Sequence, residues 1–259
     1  ANKQGRIAAD NILGRGIEYK GTLGASIIKL FDLNIGSVGI NEVEAKNCNY
    51  NYEKIIITPL NHASYYPGAS SLTIKVIYNK DNLHILGAEI VGKESVDKKI
   101  DIISMAIYNN TKITDLQDID FAYAPPFGSA KDPLNMVGYV SSNIEDGLVK
   151  QCYLSDLKKI KNFDDVILLD IRTVFEFENS HLDKFINIPL DDLRTNLSKL
   201  DKNKKIYVLC QSGLRSYLAC RILSQRGYDC YNIIGGYNFL NIQHMNKKLF
   251  GGNYRNHLK

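Results

Sequence analysis

The chain has 259 residues, 44% hydrophobic and 23% charged, with a formal net charge of +4. That length leaves room for about two domains, each with its own core. The lysines come in short runs, such as Lys158-Lys159 and Lys202 to Lys205, broken by acids. That pattern excludes the clustered basic patch of a nucleic-acid binder, and no apolar run approaches the roughly 20 residues of a membrane span.

Five cysteines, Cys48, Cys152, Cys210, Cys220 and Cys230, are widely spaced and form no CxxC pair. No metal site is expected from them; reduced thiols in a cytoplasmic protein are. The opening ANKQGRIAADN is polar and helix-like, with no signal-peptide pattern. It begins without Met and is read as a processed or truncated piece.

Residues 5 to 14 read as a helix with Ile7, Ala8 and Ile12 on one side, ended by Gly14 and Gly16. The stretch from Gly21 reads as a short helix or turn, followed by a strand near Val38 to Val43. EKIIIT (53 to 58) is rich in strand formers. SLTIKVIY (71 to 78) alternates, with Leu72, Ile74, Val76 and Tyr78 on one face. HILGAEIVG (84 to 92) returns after a Lys80-Asp81-Asn82 turn, so an antiparallel meander is expected. Val96, Ile100, Ile103 and Ile107 then mark a helix, with Ser95 as its cap. Residues 121 to 136, rich in Pro, Gly and Ala, read as a loop with a helix start at Asp132-Pro133. The fold class expected here is an α+β domain with an antiparallel sheet and helices.

The pattern changes near residue 148. VILLD (166 to 170), IYVLC (206 to 210) and YNII (231 to 234) read as buried strands. Between the last two lies a helix, Arg215 to Arg226, with Leu218, Ala219, Ile222 and Leu223 inward and Gly227 closing it. This alternation predicts an α/β domain: a parallel sheet with helices on both faces.

Ligands of open parallel sheets bind beyond the carboxyl ends of the strands. Asp170, Cys210 and the Gly235-Gly236 pair all arrive at that edge. The helix after Cys210 points unpaired N–H groups and partial positive charge at the loop. Gly213 lets the backbone curl into a nest of N–H groups, and Arg215 supplies a fixed charge. Each feature favours a thiolate, which is what a nucleophile needs. The same donors suit an anionic persulfide, Cys–S–S⁻.

These residues resemble the rhodanese family of sulfurtransferases, over about residues 150 to 245. The resemblance rests on LLDIRTVFEFENSHLDKFINIP (168 to 189), CQSGLRS (210 to 216) and YNIIGGYNFL (231 to 240). It implies that Cys210 carries sulfane sulfur, cradled by Gln211, Ser212, Gly213, Leu214 and Arg215. Asp170 and Arg172 would brace the loop by charge pairing, and His181 would be structural. Ser180 and Lys184 stand where the family usually has glycines, and Leu240 where a Trp is common. Cys210 to Arg215 is Cys-x4-Arg, one residue tighter than the Cys-x5-Arg loop of cysteine phosphatases. A smaller ring suits a sulfur atom, so phosphatase activity is not expected.

A second resemblance covers residues 1 to about 147. ANKQGRIAADNILG, GTLGASIIKLFD and VDKKIDIISMAIYNNTKITDLQDIDFAYAPPFGSAKDPLN are similar to the C-terminal part of coenzyme A disulfide reductases and NAD(P)H persulfide reductases. These belong to the pyridine nucleotide-disulfide reductase family. The resemblance implies that 1–20 is the last helix of an FAD domain and 21–147 a homodimerisation domain. It places Tyr65 and Tyr123 at the coenzyme A and flavin site of the full-length dimer, with Lys131 shaping that site. Residues 148–245 would be the rhodanese-like domain and 246–259 a tail.

FAD, NAD(P)H and coenzyme A are implied for the full-length protein. No G-x-G-x-x-G follows a strand in this chain, so no cofactor is expected to bind it alone, and no reduction by NADH. Cys48, in its polar NCNYNY setting, is not expected to replace a flavin-proximal cysteine. The expected partners are a second copy, small sulfur donors and thiol acceptors, with no nucleic acid and no membrane. The competing expectation is a non-catalytic dimerisation and docking module with an inactive rhodanese fold.

Overall fold

A computed structural model describes residues 2–157, 159–160 and 162–239. The expected tail and Leu240 lie outside these residues. The chain opens with α1 (Asn2–Ile12), none of whose side chains is buried. A five-stranded sheet follows, built from β1 (Ser26–Leu30), β2 (Leu33–Gly39), β3 (Tyr52–Ile57), β4 (Leu72–Asn79) and β5 (Ile85–Gly92). Every neighbouring pair is antiparallel, in the order β1-β2-β5-β4-β3. The expected meander is β3-β4-β5, and the β1-β2 hairpin extends it past β5.

The helices of this unit are α2 (Glu42–Asn47), between β2 and β3, then α3 (Val96–Tyr108) and α4 (Pro133–Glu145). The alternating face of β4, Leu72, Ile74, Val76 and Tyr78, is fully buried in one core with Val96, Ile100 and Ile103 of α3 and Leu134 and Val137 of α4. Asp132 caps α4 by accepting from the Leu134 N–H, with Pro133 in the first turn. Its carboxylate also pairs with the buried Lys99 ammonium.

Three local expectations for this unit are corrected. Residues 26–30 form strand β1, not a helix or turn. All five are exposed, so no alternation marks them, and the strand exists through its ladder to β2. Residues 42–47 are a helix where a strand was expected to run on to Val43. A capping box ends the strand there: Asn41 accepts from Val43 and Glu44 N–H, while Glu44 accepts from Asn41 N–H. Ser95 makes no side-chain cap bond, because its backbone is left-handed with φ 62°.

The second unit is a parallel sheet. Its strands are β6 (Gln151–Cys152), β7 (Val166–Asp170), β8 (Ile186–Asn187), β9 (Lys205–Leu209) and β10 (Cys230–Ile233), ordered β6-β10-β9-β7-β8. Helices α5 (Leu154–Leu157), α6 (Val174–Asn179) and α7 (Leu214–Ser224) alternate with them. Ser216, Ala219, Cys220 and Leu223 of α7 are buried, whereas Leu218 is 44% exposed. The expected Ala219 and Leu223 face inward and Ile222 packs against the core, but Leu218 does not; Ser216 and Cys220 complete the inward face instead.

The two units touch. Ile144 packs against both cores. The Tyr153 hydroxyl donates to the Lys54 carbonyl at 2.5 Å beside the Glu53 carboxylate at 3.0 Å, and Lys54 Nζ lies 4.5 Å from the Tyr153 ring centroid.

Gly138 of α4 lies against the turn Ile113–Asp118, where a Cβ would fall 2.2 Å from Gln117 N. The obstacle is backbone and cannot rotate away. Gly138→Ala should destabilise by about 1–3 kcal/mol, read as a lower urea midpoint with an unchanged slope.

Candidate functional site

The site grows from one strand end. β9 stops at Leu209, and Cys210 follows, 1% exposed. Gly213, at φ 112°, turns the chain into α7, a conformation a side chain would strain. The Gly213 N–H donates to Cys210 Sγ at 3.0 Å. Buried Ser216 places its hydroxyl 3.2 Å from the same sulfur, 3.0 Å from the Gly213 carbonyl and 2.6 Å from Asn232 Oδ1. One hydroxyl proton serves one of these acceptors at a time. The first N–H groups of α7 have no partner within the helix and lie in the same loop.

The Gly235-Gly236 pair closes the opposite wall. A Cβ on Gly236 would fall 2.4 Å from the Cys210 carbonyl oxygen, so only glycine lets this segment press on the loop. Tyr237 N–H then donates to the Cys210 carbonyl at 2.8 Å, and Asn238 N–H to the Gln211 carbonyl at 3.1 Å. The side chains of Gln211 and Asn238 also hydrogen-bond.

Asp170 and Arg172 form a fully buried ion pair beside this wall. Arg172 Nη2 donates to Asp170 Oδ2 at 2.7 Å, and Nε bridges both carboxylate oxygens. The guanidinium also donates to the Ser180 carbonyl at 2.9 Å, reaches Gln211 Oε1 at 3.5 Å and stacks 4.0 Å over the Tyr237 ring. The Ser180 and Tyr237 hydroxyls are bonded to each other. One side chain thus ties the end of β7, the end of α6, the sulfur loop and the 235–239 segment.

Arg215 corrects an expectation. It does not point a free charge at Cys210. Its guanidinium grips Glu176 of α6 with two bonds, at 2.7 and 2.6 Å. Glu176 also accepts from Thr173 N–H and Oγ1, at 2.9 and 3.0 Å. Arg215, then the Thr173 bonds, hold the Glu176 carboxyl down at about 2, and Glu176 in turn raises Arg215. The pair therefore stays ionised at neutral and mildly acidic pH. The stability it adds is present above the ordinary carboxylate range and is lost as pH falls through about 2.

His181 stacks on Phe177 at 4.1 Å and its Nδ1 lies 2.9 Å from the Phe177 carbonyl. Lys184 has φ 70°, a left-handed conformation that favours glycine, with Nζ 4.4 Å from the Phe163 ring centroid.

Elsewhere, Tyr65 and Tyr123, both exposed, meet with hydroxyls 3.0 Å apart; the bond from Tyr65 raises the Tyr123 phenol. The loops that carry them are joined by Ala63 N–H donating to the Gly128 carbonyl at 2.9 Å. Lys131 lies with Nζ 5.7 Å over the Tyr139 ring. Cys48 is exposed at the end of α2. Glu176, Ser216, Asn232 and Tyr237 escaped sequence reasoning, and Ser180 was noted only as standing where a glycine is usual. A capping-box spacing, Thr173 to Glu176, was the one local signal among them.

Comparison with known proteins agrees with both units. Residues 25–133 match the pyridine nucleotide-disulphide oxidoreductase dimerisation domain, and residues 154–240 the rhodanese-like domain. Coenzyme A disulfide reductase of Staphylococcus aureus is 44% identical over 140 residues, 54% of this chain and 32% of that protein. The chain thus spans about a third of the length of that curated relative. The crystal structure of reduced Bacillus anthracis CoADR-RHD superposes with a TM-score of 0.86 at 43% identity, covering 91% of this chain and 42% of that one. The NAD-dependent persulfide reductase of A. fulgidus gives 0.82 at 36% identity, covering 92% and 43%. The chain therefore joins a pyridine nucleotide-disulphide oxidoreductase dimerisation domain to a rhodanese-like domain, and is homologous to the C-terminal part of these reductases.

Removing Arg172 would leave Asp170 charged and buried without a partner. Arg172→Ala should cost about 3–5 kcal/mol, measured as the shift in chemical-denaturation midpoint.

Proposed function

We propose that this chain, a reductase dimerisation domain followed by a rhodanese-like domain, is the sulfur-carrying C-terminal portion of a flavin-dependent coenzyme A disulfide or persulfide reductase. The division falls near residue 148. The observation that carries the reading is Cys210 Sγ at the end of β9, accepting hydrogen bonds at the N-terminus of an eleven-residue helix. The Cys210 thiolate attacks the outer, sulfane sulfur of a donor. The S–S bond of the donor breaks and its electron pair leaves with the departing group. Cys210–S–S⁻ remains, and the Gly213 N–H with the free N–H groups at the start of α7 stabilises its charge. A thiol acceptor then takes the outer sulfur and restores the thiolate.

In the full-length protein, bound FAD with NAD(P)H supplies the electrons that reduce disulfide or persulfide substrates. Tyr65 and Tyr123 serve that coenzyme A and flavin site across the dimer, and Lys131 helps to shape it. Their mutual hydrogen bond and exposure support this. The free state of all five thiols supports a reducing, cytoplasmic setting, and among the described residues no helix is long and apolar enough to cross a membrane.

One observation favours the rival reading of a passive docking module: Cys210 is 1% exposed. Intact mass decides between them. After exposure to polysulfide, the chain should gain one sulfur atom, lost on cyanide treatment and absent in Cys210→Ser. No gain on a folded chain would establish the passive module.

The dimerisation domain leaves Ile27, Ile28, Leu30 and Phe31 exposed along β1 and its turn. We expect a homodimer through residues 21–147. Light scattering should give twice 29.2 kDa, and a monomer at micromolar concentration would refute it.

A further inference from the structure

Both guanidiniums that reach the sulfur loop are already matched by carboxylates. Arg172 is paired with Asp170 inside the wall. Arg215, the residue best placed to meet an anionic donor at the rim, is held by both oxygens of Glu176. Glu176 is in turn fixed by Thr173 at the start of α6, so it cannot swing away without breaking the helix cap. The ion pair is about one-third exposed on each side and Arg215 sits in the first turn of α7, one residue before Ser216, which bonds Cys210 Sγ, so its charge is open to an anion arriving at this loop. The positive potential left for a donor comes from backbone N–H groups, which act over a short range on the transferred sulfur.

From this geometry we propose that Glu176 is a specificity-determining residue that selects sulfur donors by charge. It cancels Arg215 at the rim and disfavours dianionic donors such as thiosulfate relative to organic hydropersulfides. The inference rests on the sulfur-carrier reading of Cys210. A thiosulfate donor transfers its outer sulfur to the Cys210 thiolate and releases sulfite, so two negative charges must be accommodated beside a third. A hydropersulfide, R–S–SH, transfers its outer sulfur with its proton to give Cys210–S–SH and releases R–S⁻. It arrives at most as a monoanion, so it brings less negative charge to the rim than the thiosulfate dianion.

The test is the second-order rate of sulfur loading on Cys210, followed by intact mass in the full chain. The two probes are sodium thiosulfate and the hydropersulfide of 2-mercaptoethanol. Glu176→Gln keeps the size and the acceptor for Thr173 but frees the Arg215 charge. Its thiosulfate rate should rise about tenfold or more, while the hydropersulfide rate changes less than threefold. The gain should shrink with added salt and vanish in Glu176→Gln/Arg215→Gln. Undiminished hydropersulfide loading reports an intact loop, and Glu176→Ala should move in the same direction.

Equal losses with both donors in both Glu176 variants would make Glu176 a structural brace and overturn the inference, leaving the carrier reading in place. Unchanged rates with both donors would overturn it likewise. Failure of wild-type Cys210 to load from the hydropersulfide would overturn the carrier reading and the inference together.

Discussion

The arrangement around Cys210 depends on one buried cation, the Arg172 guanidinium. Strand ends in a parallel sheet lead into separate loops, and nothing in the ladder fixes those loops to one another. Arg172 does so because its planar fork can serve several acceptors at once. It spends Nε and one Nη on Asp170, reaches the Ser180 carbonyl and Gln211, and lays its face on Tyr237. The desolvation cost of burying it is met by the adjacent carboxylate and these bonds. A lysine would bring a point charge to the same place without the fork or the stacking face.

A sulfur site with both of its guanidiniums paired holds an anion in a particular way. Its positive potential comes from fixed N–H groups and a helix terminus, which are oriented before any donor arrives. Such a field falls off within the first turn, so it acts on the sulfur bonded to Cys210 far more than on the body of the donor. On the sulfur-carrier reading, holding the persulfide and recognising the donor would thereby be separated, the first falling to the 210–216 backbone and the second to the edge where Arg215 and Glu176 stand.

The parts of this architecture legible in the sequence are those with local signatures. β7 and β9 were readable as short apolar runs, β4 as an alternation, and α4 by Asp132-Pro133. The Cys210 loop showed through its glycine and its place between strand and helix. β1 was not readable, because a fully exposed edge strand carries no alternation. β6 and β8, two residues each, are too short to carry a pattern. Leu218 of α7 was misjudged because Ser216 and Cys220, small residues that weaken the apolar stripe, complete the inward face beside Ala219 and Leu223. The partner of Arg215 lies 39 residues away on another helix. Charge spacing along the chain cannot show such a pair, and the Thr173-Glu176 box announced only a helix start. Tyr65 and Tyr123, 58 residues apart, came together through family resemblance, not through any local signal.

The distribution of these ties also decides how sulfur can reach a thiol that is 1% exposed. The β7 and α6 sides of the loop are anchored by Arg172, and the 235–239 side is pressed against the Cys210 carbonyl through Gly236. Ser216 and Asn232 lock the floor. On the remaining edge stands Leu214, 59% exposed at the start of α7, with Gly213 before it in a backbone conformation that can change at little steric cost. Displacing that edge would break the Gly213 bonds to Cys210 Sγ, Ser216 and Asn232, but no buried ion pair and no strand. Opening on the β7 and α6 side would break the Arg172 knot, and opening at the floor the Ser216–Asn232 bond. On the sulfur-carrier reading, donor and acceptor would then approach past Leu214, with Arg215 and its Glu176 clasp at the next residue of α7.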